Sequence, residues 1–526
     1  MKPARAGTDP RALFPDIPFS GPAMPILSII ATSSRTATLL IAPPGTRYGL
    51  AAPMAWQVTG ADGSVAAAGV ATVAPLFVEG LEPDRNYVLE VAGEALAFRT
   101  RACAGLVHAT DFGADPTAAD NAAALARAIA AVPEGGTLLI PPGRYVTGPI
   151  FLKPRVTLYL PDRTELAARA DRAGWPLLPE RDEHGRVVGT WEGLPETSFA
   201  APVTAVGCED VTLTGRGTID GGGDRGDWWQ WPKETRDGAR RPRTVFLAHC
   251  RNAQITGLTV RNSPSWTVHP YRCDGLVAAA LKIENPADSP NTDGLNPECC
   301  EDVRLIGLSF SVGDDCIAVK AGKRARGQTE HLAPTRRLAI RHCRMARGHG
   351  AVVLGSEMSG DITDVEITGC EFVGTDRGLR IKTRRGRGGC VARVRMRDVM
   401  MDGVMTPLAI NAFYFCDPDG KSTAVQSRDP ASVDETTPQI SDILLEDVVA
   451  ENVHNACVAV LGLPEAPVSG VRLERVRFGF APGAEAGVPL MACGIAPVRH
   501  ASVLARFADI TTDLEIKPVP EETETC

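Results

Sequence analysis

The sequence predicts an all-β protein, a right-handed parallel β-helix preceded by a small β-sandwich. Three observations predict it. Strand-like units recur about every 27 to 35 residues over most of the chain, a period that belongs to solenoids, propellers and arrays. Glycine (52 residues) and proline (41) are abundant and spread throughout, as many short strands joined by turns require. A single convincing helical segment stands ahead of the repeats, where the open end of a solenoid core needs a cap.

The elements follow in chain order. Residues 1–23 read as an N-terminal tail: Met1–Ser20 has four prolines and no apolar stretch of the export type. Met24–Ala42 is more apolar, but Arg35 interrupts it, so it reads as strands. Residues 24–102 alternate short apolar runs with turn residues, as a small sandwich does. Within them Leu81–Tyr87 precedes the strand Val88–Val91, a spacing that resembles the tyrosine corner of fibronectin type III domains, whose hydroxyl ties down the backbone. Trp56 reads as core, and the unit as a spacer in preference to a ligand-binding module.

The solenoid is expected over residues 106–515, with 516–526 as a tail. Asp120–Val132 is Ala-rich, can be capped by Asp120 and is stopped by Pro133. The repeated units include Val211–Gly215, Ile255–Val260, Val303–Leu308, Val365–Gly369 and Val471–Leu473. No helix separates their paired strands, and no regular hairpin rhythm suggests propeller blades. Cys208, Cys250, Cys273 and Cys300 recur at one phase without any CxxC pair, which points to stacked interior thiols in preference to disulfides or a metal site. The net charge of −8 argues against a nucleic-acid binder. No apolar run approaches the roughly 20 residues of a membrane helix.

Four segments carry the chemistry: Asn291–Asn296 (NTDGLN), Gly313–Lys320 (GDDCIAVK), Gly348–Val353 (GHGAVV) and Gly378–Lys382 (GLRIK). Aligning Leu295, Ile317, Ala351 and Leu379 places Asp293, Asp315 and His349 in one column, with Asp314 beside it and Arg380 and Lys382 close by. Stacked coils lie about 4.8 Å apart, so residues distant in sequence converge. Each segment alone reads as an ordinary turn. Together, clustered carboxylates beside cations suit proton transfer on a substrate that is itself anionic.

The order NTDG, GDDC, GHG, RIK resembles the polygalacturonases of glycoside hydrolase family 28. The resemblance extends to Asp111–Asp115, Gly135–Tyr145, Gly215–Gly221, Trp228–Trp229 and Ser263–Pro270. It implies the same right-handed β-helix and inverting hydrolysis of α-1,4-galacturonide bonds, with a galacturonate oligo- or polysaccharide as partner and no metal or other cofactor. Carried over by motif, Asp314 is the general acid, Asp293 and Asp315 hold and deprotonate the water, and His349 keeps Asp314 protonated. Arg380 and Lys382 pair with the substrate carboxylate. Asn291 and Tyr414 are further candidate sugar contacts, and Arg384 extends the clamp. Trp266 and His269 lie one coil earlier, where they line the groove or pack in the core.

A preceding fibronectin-like unit is similar to bacterial exo-acting members. The long stretches Asp171–Gly193 and Gly221–Arg243 suit a blocked, exo-type pocket. The alternatives are a rhamnogalacturonan or xylogalacturonan hydrolase, a calcium-dependent pectate lyase, or a pectin-binding solenoid without catalysis. Lack of a visible export segment makes the cytoplasm the expected location, with the periplasm and the medium left open.

Overall fold

The computed structural model describes residues 26–517. The tail read at 1–23, on which the expected cytoplasmic location rests, lies outside the described residues, as does 518–526. No helix among the described residues is long and apolar enough to cross a membrane.

Seven antiparallel strands form the N-terminal unit: β1 (Leu27–Thr32), β2 (Thr36–Ile41), β3 (Gly49–Gly60), β4 (Val65–Val73), β5 (Pro75–Glu79), β6 (Asn86–Val91) and β7 (Glu94–Arg99). They make a sheet of order β1-β2-β5 and another of order β4-β3-β6-β7. The alternating inward residues, among them Leu39, Val58, Leu76, Tyr87, Leu89 and Phe98, fill one core between the sheets. Tyr87 takes the expected corner role: the backbone N–H of Glu82 donates to its hydroxyl at 2.9 Å. Trp56 is only partly buried, at the margin of this core.

A helix, α1 (Ala122–Ala131), follows. Its buried face, Ala124, Leu125, Ala128 and Ile129, joins the solenoid core and closes its first coil. Asp120 accepts from the N–H of Ala122 at 2.9 Å and also from Gly148 at 3.0 Å. The remaining chain winds into a parallel β-helix. A representative coil contributes three strands, Glu301–Ile306, Ser309–Ser311 and Asp315–Val319, one to each face. The last strand, Glu515–Lys517, carries the solenoid two residues past the expected end.

Inward residues stack in register from coil to coil. On one back face Leu138, Leu158, Leu213, Ile255, Ala278, Leu305, Ile340, Ile367, Met396, Leu445 and Leu473 form a continuous column. On the third face Val268, Leu295, Ile317, Val352, Leu379, Leu408, Val458 and Val503 do the same. Because a one-residue slip would expose an apolar row and bury a polar one, these columns fix the register. The residues that follow Cys208, Cys250, Cys273 and Cys300 also pair coil to coil, so the thiols stack, free and buried. Corners between faces use residues without a side chain. At Gly215 (φ +125°) a Cβ would come within 1.9 Å of the Leu160 carbonyl oxygen.

The sandwich lies along the flank of the solenoid, unlike the spacer expected of it. Ile30, Ala31, Leu40, Ala42 and Ala74 pack on Val277, Ala279 and Ile306 of the coils. Thr36 and Thr214 share a hydroxyl hydrogen bond at 2.8 Å, and Arg47 pairs with Asp398 at 2.7 Å. Replacing Tyr87 by Phe removes the corner hydrogen bond and leaves the Glu82 N–H without its partner. This is expected to lower unfolding free energy by about 1 kcal/mol, read as a lower denaturant midpoint with the solenoid's far-UV signal intact.

Candidate active site

The site forms on the third face, where the strands Asp315–Val319, Gly350–Gly355 and Arg377–Lys382 stack in parallel. Leu295 pairs with Ile317, which brings Asp293 alongside Asp315 one coil apart. Asp315 itself pairs with Gly350, and Ile317 with Val352. The expected alignment of Ile317 with Ala351 is therefore one residue out: His349 falls beside Asp314 and not in the Asp293–Asp315 column. Ala351 and Val352 are both apolar and fully buried, so the hydrophobic pattern permits either register. Gly350 occupies the column position itself, and a Cβ there would stand 3.3 Å from Asp315 Oδ1.

Asp315, with 1% exposure, is the electrostatic centre. Lys382 Nζ donates to its Oδ2 at 2.7 Å and Arg380 Nη1 to its Oδ1 at 3.3 Å. Burial alone would raise its pKa, but Lys382 and Arg380, joined by Lys320, hold it down at about 2. Asp293, equally buried, is pushed well above the usual carboxylate range, first by burial and then by the charge of Asp314. Asn296 Nδ2 donates to it at 2.8 Å. Neighbouring carboxylates thus take opposite protonation tendencies from their surroundings.

Asp314 is half-buried and faces His349, whose Nδ1 lies 3.1 Å from Oδ1. That hydrogen bond, followed by the Coulomb attraction of Asp314 and Asp315, raises His349 to about 9. His349 is therefore held protonated at neutral pH, the form in which its Nδ1–H donates to Asp314.

The other expected residues fall around this centre. Tyr414 stands over both cations, its ring centroid 5.3 Å from Lys382 Nζ and 5.7 Å from the Arg380 guanidinium. Asn291 accepts from the buried Arg241 at 2.6 Å. His269 is wholly buried, with Nε2 2.9 Å from Glu298 and Arg243 at Nδ1, and burial lowers it to about 4. Trp266 packs edge-on against His269 and under Lys320, whose Nζ is 4.7 Å from the ring centroid. Arg384 pairs with Asp417 at 2.8 Å and Asp419 at 2.7 Å, away from the carboxylate cluster.

Sequence reasoning did not single out Lys320, Glu357, Arg241, Arg243 or Met491. Lys320 closes the GDDC segment and binds Glu357 at 2.8 Å in the interior. Met491, from a loop late in the chain, accepts from Arg380 through its sulfur at 3.0 Å. The first of these was within reach: a lysine directly after the buried strand Asp315–Val319 is out of place unless paired. Among the described residues no group of three or more His, Cys, Asp or Glu side chains is placed to hold a metal ion.

A parallel β-helix with clustered carboxylates, an imidazole and paired cations on one face is the architecture of a saccharide-processing enzyme. Residues 191–486 match the family model for glycosyl hydrolases family 28. A probable polygalacturonase of Vitis vinifera is 35% identical over 351 residues, covering 66% of this chain and 68% of that one. The chain belongs to glycosyl hydrolases family 28, the polygalacturonase family. Two solved structures share the fold. The hyperthermoactive exopolygalacturonase of Thermotoga maritima superposes with a TM-score of 0.65 at 23% identity over 79% of this chain and 92% of its own. The family 28 exopolygalacturonase of Yersinia enterocolitica does so with a TM-score of 0.65 at 19% identity over 94% and 98%.

The raised His349 value has a direct consequence. The Asp314–His349 contact contributes fully to stability below the ordinary histidine value near pH 6.5 and is lost as pH rises through about 9. An NMR titration should find the His349 ring protonated at pH 7, and Asp314→Asn should return its midpoint toward the ordinary value.

Proposed function

We propose that the chain hydrolyses α-1,4-galacturonide bonds of polygalacturonate or its oligomers with inversion, acting from a chain end. The observation that carries this reading is the juxtaposition of three carboxylates, in unlike environments, with the Arg380–Lys382 pair. A neutral sugar would give the two cations no ion-pair partner beyond Asp315 among the described residues. A lysine ammonium has three donors and a guanidinium five, so both retain capacity for a substrate carboxylate while holding Asp315.

In this mechanism Asp314 protonates the departing glycosidic oxygen, with the proton replenished across its hydrogen bond from His349. On the other side of the bond Asp315, the ionised member, takes a proton from the attacking water, and protonated Asp293 orients that water as a donor. The C–O bond to the leaving group breaks as the water oxygen bonds to the anomeric carbon, which inverts. Tyr414 flanks the sugar, and Asn291, held by Arg241, bounds the site on the opposite side.

End-acting cleavage draws support from the loops. The insertions fold onto one another through Trp175, Phe199, Trp228 and Trp231, and Arg241 at their end reaches Asn291. At the other end the loop bearing Met491 is pinned by Asn411, which donates to the Met491 carbonyl at 3.0 Å, and by Arg377. The catalytic unit is taken as residues 106–515 and the sandwich as 24–102. Rhamnogalacturonan and xylogalacturonan remain as second substrates to be assayed, since branches would have to pass these loops.

Asp314→Asn should fold normally and lose at least about a thousandfold in kcat, the order that general acid catalysis supplies; near-native turnover would sink the assignment. A metal-free time course on polygalacturonate should show mono- or digalacturonate from the outset with slow loss of viscosity. A ladder of intermediate oligomers would overturn end-acting cleavage while leaving the hydrolytic chemistry in place.

A further inference from the structure

We propose that the cleft between the sandwich and the solenoid is a second, non-catalytic saccharide site, one that holds a uronate-bearing chain. The cleft encloses about 460 Å³, within the range of small-ligand sites. Its floor is set by β5. A Cβ at Gly257 would stand 2.5 Å from the Phe77 ring, and one at Gly307 would stand 2.4 Å from Pro75, so only glycine corners let the sandwich seat this closely. The turns that line the cleft separate the two back faces of the solenoid, and the catalytic carboxylates belong to the third.

The lining has the chemistry of sugar recognition. Trp56 pairs across strands with Gly69, and a Cβ at Gly69 would be 3.0 Å from the indole. One side of the ring thus rests on bare backbone and the ring lines the cleft. Among the described residues its Nε1–H has no protein acceptor, and it is not among the buried unpaired atoms. An indole with a free N–H at the wall of a cavity offers both a stacking surface and a donor. Beside it Val70 is 65% exposed, an apolar side chain left in the open.

Two cations complete the lining. The Arg216 guanidinium lies 5.5 Å from the Phe77 ring centroid and donates to the Phe77 carbonyl, which fixes its position. Glu79 stands 3.9 Å from it. Among the described residues Lys282 pairs with Glu284 alone, at 3.1 Å, and both partners are well exposed, so a ligand carboxylate can compete for it. Asp162 is the acidic group of the lining. An aromatic platform flanked by two cations fits a sugar that carries a carboxylate, and the choice of a uronate rests on the catalytic reading above. Such a site would tether a long substrate and raise its local concentration at the groove without touching the chemistry.

The test is calorimetry of the full chain carrying Asp314→Asn, titrated with trigalacturonate and, in parallel, with neutral cellotriose. Two binding events are expected for the uronate, one of which weakens at least tenfold when Trp56→Ala is added. Lys282→Glu, a surface change that leaves the sandwich core intact, should weaken the same event several-fold and stands in should the Trp56 variant fail to fold. In the active background, Trp56→Ala should raise KM on polygalacturonate several-fold while KM and kcat on trigalacturonate stay unchanged. A single binding event indifferent to both substitutions would overturn the proposal, as would a Trp56-dependent event seen with cellotriose alone. Trp56-dependent uronate binding by a protein that leaves polygalacturonate intact would uphold the cleft and remove the catalytic reading. Hydrolysis without such binding would do the reverse.

Discussion

A single carboxylate sealed between two cations organises the active face. Asp315 could not stay ionised at 1% exposure without Lys382 and Arg380, and those two could not stay buried without it. The three come from strands two coils apart, so the contact exists only while the coils keep their register. The core column through Ile317, Val352 and Leu379 secures that register. The back faces, with their longer columns, make it costly to shift. Stability and chemistry therefore share one cause, and the charge on Asp315 in turn shapes its neighbours. It adds to the burial that raises Asp293 and to the attraction that keeps His349 protonated.

A second ring of ion pairs lies outside the first. Lys320 is held by Glu357 and capped by Trp266, and burial with Arg243 and Glu298 fixes His269. Lys320 is raised to about 12: burial opposes its charge, but the Glu357 carboxylate outweighs that. Asp417, gripped by Lys323, Arg384 and Arg387, anchors the segment that carries Tyr414 over the cations. Such buried pairs hold geometry more than they add stability.

Much of this was legible in the residues. The repeat period and the apolar triplets reveal a solenoid, because inward rows of a stacked coil must be apolar at fixed spacing. The spacing before Tyr87 announces its corner, since a local turn makes that bond. The carboxylates and cations stand out because their three segments keep the phase of Leu295, Ile317 and Leu379. The position of His349 was not legible: Ala351 and Val352 are interchangeable by hydrophobicity, and only backbone pairing decides between them. Arg241 and Arg243 were hidden for another reason. Their partners are mainly carbonyl groups and side chains brought near by folding, which no local pattern records. Arg384, within a run that reads as a basic loop, finds acids over 30 positions away. The sandwich's placement against the flank was equally invisible, as it depends on glycine corners of coils far along the chain.

The chemistry of this face turns on where protons sit in the resting enzyme. A neutron structure of the ligand-free protein at pH 7 after exchange into heavy water addresses it directly. Deuterium is expected on the Asp293 carboxyl and on both ring nitrogens of His349, with none on Asp315. A bare Asp293 beside a deuterated Asp315 would contradict it.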